Sequence, residues 1–232
     1  MAKDLSVLVL GATGMVGGLL LRLCLDDARI GRVSVIGRRP CGVTHARLQE
    51  TIHPDFDHCE PLSAALAGQD VVFYCIGVYT GAVSADELRR VTAEQPAHLA
   101  RVLHAVSPGA ILAFLSGMGA DRNQRSRIAF ARHKGVAENA LLAQGFARLG
   151  IFRPGYIFPV TARREPTLAY RVFRWLYPVL RPLWPNMGLT SDELARAMLG
   201  WALDESDRAP SSTFENHEIR RLAARHESPH PA

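Results

Sequence analysis

Lysine is nearly absent from this sequence, although basic residues are common. Of the 27 lysines and arginines in 232 residues, only Lys3 and Lys134 are lysines. Lysine carries a compact point charge on a slim stem, whereas the guanidinium of arginine is a broad planar fork. An internal lysine in a chain that otherwise uses arginine therefore indicates a site that arginine cannot serve.

Other scarcities argue against several classes of protein. The four cysteines, Cys24, Cys41, Cys59 and Cys75, form no CxxC pair and no metal-like spacing with histidine. We therefore expect no metal site, and a reducing, cytoplasmic location. No uninterrupted apolar run reaches 18 residues, so we expect no membrane-spanning helix. The net charge of +5 favours anionic ligands but does not by itself indicate nucleic-acid binding, which we do not expect.

Short apolar runs alternate with amphipathic stretches through the first two-thirds of the chain. Strands are predicted at 5–10, 32–37, 45–52, 70–77, 110–117 and 147–155. Helices are predicted at 14–27, 61–67, 84–106 and 126–145, and Pro96 is expected to bend or interrupt the third. This alternation predicts an α/β fold with a doubly wound parallel sheet, which binds ligands at the carboxyl ends of its strands.

The last third of the chain has a different character. We expect residues 1–160 to form the dinucleotide-binding core and residues 161–232 a small C-terminal helical substrate lobe, an extension of the same domain. Within the lobe, a helix is predicted over 191–204 with Ser191 as its cap, followed by a short final segment at 213–225. The sequence gives no indication of the oligomeric state.

The segment "GATGMVG" places Gly11, Gly14 and Gly17 between the first strand and the first helix. Such a turn needs residues without Cβ, so that the backbone can turn tightly and approach a pyrophosphate. The helix N-terminus then offers free N–H groups to the anion. The pattern predicts a Rossmann-type dinucleotide site, with Thr13, Met15 and Val16 as further contacts of the same turn. The alternative is a glycine-rich turn without a ligand.

An acidic residue is missing where the second strand ends, in "IGRRP". An NAD site usually has a carboxylate there for the ribose 2′-hydroxyl, but Arg38 and Arg39 occupy the position and the next carboxylate is Glu50. Two guanidiniums suit a 2′-phosphate, which they can hold by charge-assisted hydrogen bonds. The sequence therefore predicts NADP, with NADPH preferred over NADH; a solvated surface arginine pair is the alternative.

Four further motifs complete a resemblance. They are "DVVFYCIG", "LSGMGAD", "FARHKGVAENAL" and "IFRPGYIFP". Together with the glycine turn they resemble the atypical short-chain dehydrogenase/reductases, in the NAD-dependent epimerase/dehydratase-like branch. Their order is most similar to the small Tat-interacting-protein-like oxidoreductases. The similarity covers roughly residues 1–160, and it implies that Cys75, Gly77 and Pro154 lie beside the cofactor.

The resemblance also implies catalytic roles. In that superfamily a tyrosine exchanges the proton, a lysine binds the nicotinamide ribose and lowers the tyrosine pKa, and a serine binds the substrate oxygen. Ser116 and Lys134 match the serine and the lysine, but Phe130 stands at the tyrosine position. A phenyl ring has no proton to give. Because general acid–base catalysis supplies roughly 100- to 10,000-fold, ordinary carbonyl reduction is expected to be sharply impaired.

Other side chains could replace the missing proton donor. His133 lies three residues after Phe130 on a neighbouring part of the helix surface, although a solvated surface histidine is the favoured interpretation. Tyr79 and Tyr156 each follow a strand end that is expected to face the cofactor, and each is as well explained as part of the wall. Asp121 is expected to cap the loop after Ser116.

The segment 168–188 interleaves five aromatic residues with three arginines. Such a segment could lie on a membrane surface, line a substrate pocket or complete the core. Pro178, Pro182 and Pro185 would interrupt a continuous interfacial helix, so core or pocket wall is favoured over membrane contact. If it lines the pocket, the small-molecule substrate is expected to be apolar, such as a lipid or quinone.

Two functions from different classes follow from these patterns. The first is an NADP-dependent oxidoreductase that transfers hydride between NADPH and a carbonyl or ene substrate. The second is a non-catalytic NADP(H)-binding sensor or scaffold that changes its interaction with a partner protein. Ser116 and Lys134 favour the first, whereas Phe130 favours the second. A nucleic-acid-binding protein rests on net charge alone.

Overall fold

The computed structural model describes residues 4–79, 81–160, 188–207 and 209–226. Seven parallel strands form its central sheet, in the order β3-β2-β1-β4-β5-β6-β9. The strands are β1 Leu5–Leu10, β2 Ile30–Gly37, β3 Leu48–Ile52, β4 Val71–Tyr74, β5 Ile111–Leu115, β6 Arg148–Arg153 and β9 Ser211–Glu215. A separate two-stranded parallel pair is formed by β7 Tyr156–Phe158 and β8 Gly188–Thr190. The predicted doubly wound α/β fold is confirmed.

Helices cover both faces of the sheet. They are α1 Met15–Asp26, α2 Ser63–Leu66, α3 Ala85–Arg89, α4 Gln95–Val106, α5 Ala129–Gln144, α6 Ser191–Leu203 and α7 Asn216–Arg225, with a 3₁₀ turn at Glu60–Leu62. The buried faces of α1, α6 and α7 share one apolar cluster, and those of α2, α4 and α5 share the other. None of the helices in these described ranges is long and apolar enough to cross a membrane.

The strand sequences explain this two-sided burial. In β1, Val7 and Val9 enter one cluster while Leu8 and Leu10 enter the other, and all four are fully buried. A strand that is covered on both faces has no solvent-exposed side, so its sequence is a nearly continuous apolar run without polar alternation. The run "LSVLVL" is therefore the sequence of a central strand, as predicted.

Pro96 marks an interruption, as the sequence predicts for the long helix at 84–106. The helix divides into α3, a π-helical turn at Arg90–Glu94, and α4, which begins at Gln95 with Pro96 in its first turn. Proline lacks an N–H and is tolerated where a helix begins. A π turn is a local widening that often lies at functional sites, and this one brings Arg90 to the ligand cleft described below.

The cap of α6 differs from the prediction. Thr190, and not Ser191, is the N-cap: its Oγ1 accepts a hydrogen bond from the backbone N–H of Glu193 at 3.1 Å. The Glu193 carboxylate accepts in turn from the Thr190 N–H at 2.6 Å, which completes a capping box. Ser191 is the first helical residue, and its Oγ accepts a hydrogen bond from the Val160 N–H.

The C-terminal part contributes to the central sheet. The short segment predicted at 213–225 is a strand and a helix, because β9 pairs with β6 and leads directly into α7. The division into a core at 1–160 and a lobe at 161–232 stays a prediction. The aromatic-basic segment 168–188 lies outside the described residues, except for its last residue, Gly188.

Candidate functional site

A cleft of about 700 Å³ lies at the carboxyl ends of β1, β2 and β4. In an open parallel sheet this edge, where the strand order reverses, is the usual ligand site. Seven of the residues that the sequence predicts for cofactor binding line the cleft: Gly11, Thr13, Gly14, Arg38, Arg39, Cys75 and Gly77. Three separated motifs are thus brought to one cavity.

The glycine turn is shaped for close approach. Gly11 has a φ of +84°, and a Cβ at this position would lie 2.8 Å from the backbone carbon of Cys75. A Cβ at Gly17 would lie 2.3 Å from the carbonyl oxygen of Gly11. Gly14 is the N-cap of α1, whose first turn contains no acidic residue. The turn therefore leaves a helix N-terminus open to an anion and fits the pyrophosphate of a dinucleotide.

The arginine pair adds positive charge to the same cleft. Arg38 and Arg39 are both exposed, and neither forms an ion pair with any residue that the structure describes. The next carboxylate along the chain is committed elsewhere, because Glu50 Oε1 accepts a hydrogen bond from the Cys41 N–H at 2.7 Å. Glu50 thus holds the loop that follows Arg38 and Arg39, and both guanidiniums stay available to a phosphate.

A further wall of the cleft was not predicted from the sequence. It includes Pro54, Asp55, Phe56, Asp57, Glu87, Arg90 and Gln95. Asp57 ties two elements of this wall together: it pairs with Arg90 at 3.3 Å and accepts a hydrogen bond from Gln95 Nε2 at 2.8 Å. The signal that could have found the wall is the run "HPDFD", which begins at the carboxyl end of β3.

Lys134 lies in α5 and is buried, with 5% of its surface exposed. Its Nζ donates a hydrogen bond to the Leu115 carbonyl at 2.8 Å, and lies 4.7 Å from the ring centroid of Phe114 and 5.8 Å from that of Phe130. Burial lowers the pKa of Lys134 to about 8, against the opposing effects of Glu138 and Cys75. The lysine that the sequence indicates as unusual is thus a cation in largely apolar surroundings.

Five predicted cofactor residues do not line the cleft, namely Met15, Val16, Gly17, Lys134 and Pro154. Val16 packs in the core, and Gly17 allows α1 to lie against the backbone of Gly11. The carbonyl of Pro154 accepts a hydrogen bond from the Met118 N–H at 2.8 Å. Direct contact of these five with a cofactor stays a prediction. Lys134 does interact electrostatically with Cys75, which lines the cleft. Burial raises the pKa of the Cys75 thiol to about 12, and the charge of Lys134 opposes this rise.

Ser116 is part of a buried network that the sequence did not indicate. Its Oγ donates a hydrogen bond to Glu138 Oε1 at 2.6 Å, and Glu138 is fully buried. Arg153 donates to both carboxylate oxygens of Glu138, and Arg122 Nε donates to Oε2 at 2.7 Å. Burial alone would raise the pKa of Glu138, but the hydrogen bonds from Arg153, Ser116 and Arg122 lower it overall.

This network limits the hydrogen bonds that the Ser116 hydroxyl can form with another partner. A hydroxyl has one proton, and that of Ser116 is given to Glu138, so only its oxygen lone pairs remain for another partner. Next to it, Phe130 packs against the backbone: a Cβ at Gly117 would lie 2.9 Å from Phe130 Cε1. The described arrangement therefore contains a lysine donor and a serine acceptor, with a phenyl ring between α5 and the segment after β5.

The other candidate proton donors are less well placed. Burial, followed by Arg132 and Arg89, lowers the pKa of His133 below 6.5 against Glu94, so His133 interacts with charges of the α3 region. Asp121 caps its loop, as predicted, by accepting hydrogen bonds from the N–H groups of residues 123, 125 and 126. Tyr79 and Tyr156 are half-buried, beyond β4 and within β7.

Several solved structures with this fold are named as dehydrogenases or oxidoreductases. A short-chain dehydrogenase from Burkholderia cenocepacia J2315, solved in complex with NADP, has a TM-score of 0.68 at 15% identity, covering 99% of this chain and 100% of that chain. The oxidoreductase ylbE from Lactococcus lactis has a TM-score of 0.66 at 14% identity, covering 98% and 100%. The chain thus has an α/β Rossmann-like fold, which it shares with solved dehydrogenases of the short-chain type.

Sequence comparison narrows this class. Protein HTATIP2 of Rattus norvegicus is 32% identical over 161 residues, which cover 67% of this chain and 64% of the relative. Protein fmp52, mitochondrial, of Aspergillus niger is 29% identical over 158 residues, covering 66% of each. The chain thus matches just under two-thirds of the length of these relatives. No family model matches. These relatives and the solved structures together support the resemblance to atypical short-chain dehydrogenase/reductases that the motifs indicate.

Proposed function

We propose that this chain binds NADP(H) in the cleft at the carboxyl edge of its sheet and acts as an oxidoreductase on a small molecule. The observation that carries the proposal is one cavity of about 700 Å³ that joins the glycine turn, the arginine pair and the end of β4. Known structures with this fold include complexes with NADP and with NAD, which supports a nicotinamide dinucleotide.

The choice of NADP rests on charge. Arg38 and Arg39 follow β2, where a carboxylate would serve NAD, and both line the cleft. A 2′-phosphate can accept charge-assisted hydrogen bonds from both guanidiniums, whereas the 2′-hydroxyl of NAD would leave them without an anion. Glu50, which holds the following loop through Cys41, acts as a support and not as a ribose ligand.

The chemistry that a bound cofactor would supply is hydride transfer at its nicotinamide ring. In the proposed roles, Lys134 holds the nicotinamide ribose through N–H donors other than the one used by Leu115, and Ser116 accepts a hydrogen bond from a substrate group. The rings of Phe114 and Phe130 lie beside the ammonium. Proton delivery falls to solvent or to another side chain, because Phe130 stands where we place the missing tyrosine.

An apolar substrate is consistent with the segment that follows Ser116. Met118 and Ile128 are large apolar side chains, 57% and 65% exposed, between β5 and α5. Exposed apolar residues beside a candidate site favour an apolar ligand.

A cytoplasmic location belongs to the same proposal. Cell fractionation tests it, and recovery in mitochondria, the location in the names of fungal relatives, would contradict it.

A second function is favoured by the geometry of Phe130 and Ser116. Phe130 has no proton, and the proton of Ser116 is bound to Glu138, so no donor of the usual kind faces a substrate carbonyl. The chain would then bind NADP(H) as a sensor, and its interaction with a partner protein would change when the cofactor is bound. Binding of NADPH without turnover over a broad set of aldehydes, ketones and quinones would favour this function.

Replacing Phe130 with tyrosine distinguishes the two functions. If the site has lost only its proton donor, Phe130→Tyr is expected to raise NADPH oxidation with carbonyl substrates by roughly 100-fold or more, since general acids supply that factor. The measurement is a turnover screen by absorbance at 340 nm. The wild-type protein could instead already oxidise NADPH with a substrate, and lose this activity in Lys134→Ala while keeping it unchanged in Phe130→Tyr. Another group would then be the acid, and the site would not have lost its proton donor.

A further inference from the structure

Among the residues that the structure describes, cations outnumber carboxylates around Glu138, on the buried face of α5. Lys134, Arg153 and Arg122 lie near a single buried carboxylate, that of Glu138. Glu215 adds a second, half-exposed carboxylate at 3.5 Å from Arg153. Because Glu138 accepts hydrogen bonds from both arginines and from Ser116, it is already compensated before Lys134 is counted. Glu138 still acts on Lys134 and opposes the effect of burial on its pKa, but burial is the larger effect, so the charge of Lys134 is only partly balanced.

The direct surroundings of the ammonium confirm this. Its oxygen partner in the described structure is the neutral carbonyl of Leu115, and its other near neighbours are the rings of Phe114 and Phe130. The thiol of Cys75, which lines the cleft, lies near enough to interact with it. A tyrosine at position 130 could have ionised beside the lysine, but a phenyl ring cannot.

We propose that Lys134 makes this site discriminate between the two redox forms of the cofactor, binding NADPH more tightly than NADP⁺. The inference rests on the proposed NADP(H) site and adds a property to it. The two forms share their phosphates, ribose units and adenine, and differ by one positive charge on the nicotinamide ring. A buried ammonium that is only partly compensated and holds the adjoining ribose opposes that charge, while the reduced ring is neutral.

The magnitude follows from Coulomb's law. Two unit charges several ångströms apart in a partly buried site repel strongly enough to change a binding constant by about tenfold or more. Binding of NADP⁺ is then coupled to loss of a proton from Lys134, whereas binding of NADPH is not. The preference is largest where Lys134 is charged and falls as the pH rises through about 8.

Other titratable groups on the elements packed around Lys134 do not titrate in the same range. Glu138 in α5 has a pKa below its usual value, and burial raises the pKa of Cys75, after β4, to about 12. Arg153 in β6 has a pKa raised by its hydrogen bond to Glu138, and Ser116 and Leu115 present neutral groups. Burial lowers the pKa of His133 from its usual value, so His133 titrates below Lys134. Protonation of the 2′-phosphate is common to both cofactor forms and cancels in their ratio.

The test is calorimetric titration of the wild-type protein with NADPH and with NADP⁺ from pH 6.5 to 9.5. We expect the ratio Kd(NADP⁺)/Kd(NADPH) to be about ten or more at pH 6.5 and to fall as the pH is raised to 9.5. Titration at pH 8 in two buffers of different ionisation enthalpy is expected to show proton release with NADP⁺ and little with NADPH. These measurements need no variant.

Variants assign the effect to Lys134. Lys134→Met is expected to give a low ratio at all pH values. Arg38→Asp weakens both cofactors equally and leaves the ratio unchanged. A wild-type ratio near one at every pH, or the same pH dependence in Lys134→Met, would overturn the inference and leave the cofactor site intact. Failure of both cofactors to bind would instead overturn the proposed function.

Discussion

Replacing Glu138 with alanine is expected to lower the free energy of unfolding by about 3–5 kcal/mol. The reason is that Arg153, Arg122 and Ser116 all direct hydrogen bonds at this one fully buried carboxylate. Its removal leaves guanidinium groups and a hydroxyl without their anion, and an unpaired buried charge costs more than the pair contributes. Urea denaturation followed by circular dichroism measures the change.

A matched control lies on the surface. Arg89 and Glu94 approach each other at 2.7 Å, the same distance as Arg122 and Glu138, but their side chains are 55% and 50% exposed. Glu94→Ala is therefore expected to cost less than about 1 kcal/mol. Equal losses for Glu94→Ala and Glu138→Ala would show that burial of the network does not matter.

The contribution of Glu138 also has a defined pH dependence. Its pKa is held below the ordinary value of 4.5 in the folded protein. Stability from this group is therefore complete above pH 4.5 and is lost as the pH falls through the lower folded-state pKa. The difference in unfolding free energy between wild type and Glu138→Gln is expected to shrink on acidification, and a constant difference would contradict this.

Replacing Arg38 with aspartate, in a variant that also carries Arg39→Asp, is expected to weaken NADPH binding by about 100-fold or more. Hydrogen bonds between a charged donor and a phosphate contribute roughly 1.5–3 kcal/mol each, and the aspartates would in addition repel the 2′-phosphate. NADH has no such phosphate, and a carboxylate at this point can accept a bond from its ribose. The measurement is the ratio of the NADPH and NADH dissociation constants.

Arg221→Asp provides the control for net charge. Arg221 is exposed on α7 and does not line the cleft, so its replacement changes the charge of the protein without touching the proposed phosphate site. The selectivity ratio is expected to remain at the wild-type value. A ratio that is unchanged in the variant with Arg38→Asp and Arg39→Asp would show that the pair is only a solvated surface feature.

The sequence predicts the sheet well where strands are central. Runs such as "LSVLVL" and "DVVFYCIG" contain residues buried on both faces, and such runs leave little ambiguity. Local signals located helix ends as well: Gly145 ends α5 with a φ of +75°, and Pro96 marks the division before α4. These features depend on a few neighbouring residues, which is why a single sequence shows them.

The parts that were missed depend on distant residues. Strand β9, "SSTFE", is polar and half-exposed because it lies at the sheet edge, so its pattern does not differ from that of a loop. Glu138 acquires its role from Ser116, Arg122 and Arg153, which lie 22, 16 and 15 positions away along the chain. No local pattern shows that these residues meet.

The candidate site divides in the same way. The glycine turn and the arginine pair were predicted because each is a compact motif with a stated chemical purpose, and the structure brings them to one cleft. The wall formed by Asp57, Arg90 and Gln95 was not predicted, since it requires the π turn before α4 to lie across from the end of β3. Long-range packing, and not residue type, determines that wall.

The most direct test of the central claim is a crystal structure of the protein soaked with NADPH. The account predicts the pyrophosphate at the N-terminus of α1, against the turn that contains Gly11 and Gly14, and the 2′-phosphate in contact with Arg38 or Arg39. A cofactor bound elsewhere on the molecule, or a 2′-phosphate that points away from both arginines, would contradict it.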